Sequence, residues 1–104
     1  MFVGKENKIS ADHLQAGETI TIIGFGESMT PKIKSGEPVI VAPVTAETVL
    51  KKGDVVFCKV AGHFYLHKIT AIRNGNTFQI SNNHGHTNGW VSKKCIYGVM
   101  VKKI

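Results

Sequence analysis

Two short segments of this 104-residue chain hold the residue types that could do covalent chemistry. In the first, Gly24-Phe25-Gly26-Glu27-Ser28-Met29-Thr30-Pro31, a serine sits in a Gly-rich turn directly after an apolar, β-branched run. Glycine reaches backbone angles closed to other residues, so neighbouring N–H groups can converge on one point. A nucleophile needs that arrangement, an open Oγ with donors aimed at the developing oxyanion. The second segment, Tyr65-Leu66-His67-Lys68-Ile69, carries two bases in succession. Imidazole titrates near neutrality and can take a hydroxyl proton without a large pKa shift. A lysine must be deeply buried before it is neutral at working pH. Neighbours on a strand point to opposite faces, so only one of the pair can face Ser28. His67 is the preferred base and Lys68 the alternative. Each segment alone also has a bland reading, a turn serine and a histidine on a half-buried strand face.

The elements that would position these residues are short. Thr19–Ile23, Pro38–Ala42, Asp54–Val60, Phe64–Ile72, Thr77–Ser81 and Ile96–Val101 read as strands, rich in β-branched and aromatic residues and separated by Gly and Asn. Ala61-Gly62-His63 and Arg73-Asn74-Gly75-Asn76 read as hairpin turns, the second through its Asn-Gly pair. Helix is confined to a turn or two over Ala11–Ala16, stopped by Gly17, and one turn over Thr30–Lys34 with Pro31 near its start. The expectation is an all-β, mainly-β barrel or coiled sheet, with residues 1–17 as an N-terminal extension and 18–104 as the domain.

Bulk properties narrow the classes. A length of 104 residues suits one core, and mean hydropathy of +0.00 is ordinary for a globular chain. The first eight residues contain no apolar run of signal-peptide length, and no stretch approaches the ~20 residues of a spanning helix. A cytoplasmic chain with no membrane partner is therefore expected. The net charge is +6, and no carboxylate side chain follows Asp54. This basic second half could meet a polyanion, but no helix-turn-helix, zinc-finger or RNP-like pattern accompanies it, so nucleic acid is not an expected partner. Cys58 and Cys95 have no CxxC or metal-ligand spacing and read as free thiols. His63, His67, His84 and His86 form a loose set with a His-x-His pair. His84 and His86 fall in a polar Gly/Asn loop where exposure accounts for them, so no metal or cofactor is expected.

Taken in order, four elements resemble the serine peptidases of the signal-peptidase, LexA and phage-repressor type (peptidase families S24 and S26). They are Gly26-Glu27-Ser28-Met29-Thr30-Pro31 with the strand from Pro38, the Gly53-Asp54 turn entering Val55-Val56, Tyr65-Leu66-His67-Lys68-Ile69, and the closing Ile96-Tyr97-Gly98-Val99-Met100. The likeness covers residues 18 to 104 and implies the LexA/signal-peptidase-like coiled β-barrel. It also implies peptide-bond hydrolysis by a Ser–base dyad. His67-Lys68 is similar to the branch of the group in which histidine is the base, and the compact form is similar to small phage-encoded members. That branch supplies a downstream aspartate to orient the imidazole, whereas Ile80–Trp90 contains no carboxylate. Asn82 or Asn83 would take that part, as asparagine does in papain-like enzymes. With glycine at 26, where many bacterial signal peptidases carry a hydroxyl, the oxyanion would rest on backbone N–H groups of Gly26, Ser28 and Met29. The implied partner is a peptide or protein bound as an added strand, this chain itself included, with a homodimer as a further option. The alternative is a catalytically silent binding or self-association module on the same fold.

Overall fold

A computed structural model of the protein describes residues 7–104 together with the backbone of 2–3. Of the expected N-terminal extension, residues 1 and 4–6 lie outside the described residues. The elements run β1 (Phe2–Val3), α1 (Asn7–Gln15), β2 (Ile20–Phe25), β3 (Pro38–Pro43), β4 (Val55–Val60), β5 (His63–Arg73), β6 (Thr77–Ser81), β7 (Thr87–Ser92), a 3₁₀ turn (Lys93–Cys95) and β8 (Ile96–Lys103). Mainly β, as expected, the chain forms one sheet in the order β1-β2-β3-β8-β4-β5-β6-β7. Every neighbouring pair in it is antiparallel.

Helix α1 stops where the sequence places a glycine. Gly17 takes a φ of 89°, and the Gly17 and Glu18 N–H groups fold back onto the Leu14 and His13 carbonyls. That is a Schellman end, in which a left-handed residue satisfies the last helical carbonyls. The helix lays Ala11 and Leu14 into the interior, Leu14 only 1% exposed.

Strand β4 lies between β8 and β5 and is buried on both faces. Its period-two alternation divides the interior into two cores. Val55 and Phe57 pack with Leu14, Ile22, Val41 and Leu66 under α1, while Val56, Cys58 and Val60 pack with Ile69, Phe78 and Ile80. Register slips, which bend a strand and increase its twist, fall at Ile40/Val41, Phe57/Cys58, Ile69/Ala71 and Ile80/Ser81.

Both expected hairpins are present. Ala61 and Gly62 (φ 50° and 84°) join β4 to β5, and Asn74 and Gly75 (φ 54° and 71°) join β5 to β6. Positive φ at both central positions matches the right-handed twist of the strands. Residues Thr30–Lys34 make only an isolated turn, closed by Ile33 N–H on the Met29 carbonyl. Strand β7 was not expected from the sequence. Its Asn88-Gly89 pair has the composition of a turn, yet it lies inside the strand at the Ile80/Ser81 slip. The β6–β7 reversal is made earlier, where Asn82 Oδ1 accepts from the His84 and His86 N–H groups. Among the described residues, no helix is long and apolar enough to cross a membrane.

Candidate active site

Ser28 and His67 meet at one side of the sheet. Ser28 follows β2, in a bend where Gly26 takes a φ of 104°, and His67 is the fifth residue of β5. The Ser28 Oγ lies 3.1 Å from His67 Nε2, and Asn88 Oδ1 lies 2.6 Å from His67 Nδ1. An amide oxygen only accepts, so Nδ1 carries the proton and Nε2 is left to accept from the serine hydroxyl. The two bonds thus set one tautomer across the ring.

His67 shares a strand face with Tyr65, whose ring stacks on the imidazole with centroids 4.8 Å apart. Directly across on β4, His67 pairs with Val56 and Tyr65 with Cys58, all on the face of the second core. Lys68 pairs with Val55, which belongs to the first core. Alternation therefore turns Lys68 away from Ser28, and of the two bases the sequence offered, the geometry brings only His67 to the serine.

His67 is 3% exposed. Burial disfavours the charged ring and lowers its pKa from 6.5 to about 4; His86 adds to the fall, and the Asn88 hydrogen bond opposes it. The imidazole is accordingly neutral, and able to accept a proton, throughout the neutral range.

Asn82 and Asn83, expected to orient the imidazole, do other work. Asn82 closes the β6–β7 turn, as described. Asn83 braces the serine segment, its N–H donating to the Ser28 carbonyl (2.8 Å) and its Nδ2 to the Met29 carbonyl (3.1 Å). His84 Nε2 donates to the Glu27 carbonyl (2.9 Å) and lies 3.2 Å from Thr30 Oγ1. Three successive carbonyls, 27 to 29, are thus held by one turn. The amide that reaches Nδ1 is Asn88, in an Asn-Gly pair whose composition is that of a turn. The usable signal was the β-prone Trp90-Val91 that follows it. Between the pairs Thr87↔Ser81 and Gly89↔Ile80, Asn88 is the extra residue of a β-bulge. Such a bulge re-aims a side chain, and here Asn88 reaches His67.

The expected oxyanion donors also separate. The Gly26 N–H is spent on Ser35 Oγ at 3.0 Å, so it is not open to a substrate oxygen. Among the described residues, the N–H groups of Ser28 and Met29 donate to no acceptor. Phe25, Gly26, Glu27, Ser28, Tyr65, His67, His86 and Asn88 enclose a hollow of about 270 Å3, with Ser28 and His67 in its wall. A larger hollow of about 400 Å3, lined among others by Val44, Lys93 and Tyr97, holds no nucleophile–base pair. There Lys93 Nζ is tied to the carbonyls of Ala46 and Thr48. Both cysteines are free, and burial pushes the Cys58 thiol up to about 12, which removes it as a nucleophile. Among the described residues, no group of three or more His, Cys, Asp or Glu side chains gathers to hold a metal ion.

Chemically, the arrangement offers a hydroxyl, a neutral base within hydrogen-bond reach of it, an acceptor that orients the base, and two unspent N–H groups beside the hydroxyl. These are the parts an acyl transfer needs. The profile of one protein family, described as Peptidase S24-like, matches residues 4–101. A search of the curated proteins found no match.

Proposed function

The chain belongs to the peptidase S24-like family, and from that premise we propose that it hydrolyses a peptide bond with Ser28 as nucleophile and His67 as general base. The observation that carries the reading is the 3.1 Å contact between Ser28 Oγ and His67 Nε2, with Nδ1 committed to Asn88. As Ser28 Oγ bonds to the scissile carbonyl carbon, its proton passes to His67 Nε2. The carbonyl oxygen becomes an oxyanion, held by the Ser28 and Met29 N–H groups. His67 then gives the proton to the leaving amine as the C–N bond breaks, which leaves an acyl ester on Ser28. A water molecule deprotonated by His67 releases the acid and restores the serine.

The substrate in this reading is an extended peptide segment of a protein, this chain included. It would bind in extended form with one side chain in the hollow walled by Phe25 and Tyr65. Fluorophosphonate labelling followed by peptide mass spectrometry tests the reading. The probe should modify Ser28 in the native protein and not in Ser28→Ala, with the circular dichroism spectrum unchanged. Cleavage of a protein substrate should fall in Ser28→Ala by at least about 10³-fold. An unmodified Ser28 in folded protein would leave the alternative, a silent binding module on a peptidase fold.

A further inference from the structure

The side of the imidazole away from Ser28 is closed by a residue that only the β6–β7 bulge brings there. Asn88 is half-buried, it is the extra residue of that bulge, and its Oδ1 is 2.6 Å from Nδ1, closer than Ser28 Oγ is to Nε2. Building on the reading of Ser28 and His67 above, we propose that Asn88 is the positioning residue of the site. It holds His67 as its Nδ1–H tautomer and, being an uncharged amide, lets the pair work in acid conditions that would protonate a carboxylate-backed histidine.

An amide and a carboxylate both accept from Nδ1–H, so either can set the tautomer. They differ in what they do to imidazolium, which a carboxylate stabilises by charge and an amide only by its dipole. The groups around His67 determine how much that difference matters. From its own strand comes the Tyr65 ring, from the segment after β2 come Ser28 and Glu27, and from the β6–β7 turn comes His86. Among the described residues Glu27 is the one carboxylate lining the hollow, and it is not among the causes that shift His67. Among the described residues nothing negative offsets burial, and the ring stays neutral to about pH 4. The same choice weakens the base, because Asn88 sets a neutral amide and not an anion against the imidazolium formed in the transition state. Acid range is thus gained against speed at neutral pH.

The test is an NMR titration of the ¹⁵N-labelled histidine ring from pH 3 to 8, run beside the pH dependence of fluorophosphonate labelling at Ser28. The native protein, Asn88→Asp and Asn88→Ala are compared, with amide spectra to establish that each is folded. In native protein His67 should be the Nδ1–H tautomer with a midpoint near 4, and labelling should persist down to that pH. Asn88→Asp should keep the tautomer, raise the midpoint by at least about one unit and move the acid limb of labelling with it. Asn88→Ala should lose the tautomer preference and label at least about tenfold more slowly. The proposal is overturned if both variants leave the tautomer and midpoint of His67 unchanged. If the ring behaves as stated but native Ser28 is unlabelled at every pH, the peptidase reading fails and takes the acid-range claim with it, while the tautomer claim stands.

Discussion

At His67, burial and hydrogen bonding act in opposite directions on one proton, and burial is the larger. The folded ring resists protonation until about pH 4, whereas an imidazole in the unfolded chain binds its proton near 6.5. Between those values the unfolded state holds more protons, so stability falls as pH drops through the interval. The contribution is present in full above about pH 6.5 and is lost as pH falls through the folded value. Urea midpoints at pH 7.5, 5.5 and 4 should therefore decline, and His67→Gln should flatten part of that decline. A midpoint series that His67→Gln leaves equally steep would assign the acid sensitivity to other groups.

Elements, and not single side chains, hold the serine segment in place. The turn between β6 and β7 grips carbonyls 27 to 29 through Asn83 and His84, while the bulge two residues beyond that turn supplies Asn88. One hairpin therefore sets both the nucleophile's backbone and the base's orientation, which couples two segments more than fifty residues apart. Asn83→Ala removes the side-chain bond to Met29 and keeps the backbone bond to Ser28. It should cost about 1 kcal/mol of stability and slow Ser28 labelling without changing the His67 midpoint. Chemical denaturation and the labelling rate, measured together, check both parts.

Across the whole molecule, β4 with its two buried faces is the spine, and α1 closes the first core over it. Leu14 reaches Gly98, where β8 pairs with β3. There Gly98 has no room for a side chain: a Cβ would lie 2.4 Å from Val41 Cγ1 and 3.0 Å from Leu14 Cδ1. Truncating Leu14 would open a cavity between helix and sheet that rigid strands cannot fill. Leu14→Ala should thus destabilise the protein by about 2–5 kcal/mol in urea unfolding. The Ser28–His67 contact lies on the far side of β5 from that core and should survive in the folded fraction. A loss under about 1 kcal/mol would mean that α1 packs more loosely than its burial implies.

The mainly-β fold, six of the eight strands, the two primed hairpins and the pairing of Ser28 with His67 were legible in the sequence. Alternation, β-branched runs and Gly/Asn turns are local signals carried by adjacent residues. Period two also makes His67 and Lys68 mutually exclusive as partners of Ser28. Which of them faces the serine rests on pairing with β4, because Val56 and Val55 belong to different cores. The choice of Asn88 over Asn82 and Asn83 likewise lies beyond local reading. Asn-Gly favours a turn wherever neighbouring strands do not compete for it, and here pairing with β6 draws it into β7 as a bulge. The sequence pointed to Asn82 or Asn83 for this part; only the register of one strand against another brings Asn88 to the ring in their place.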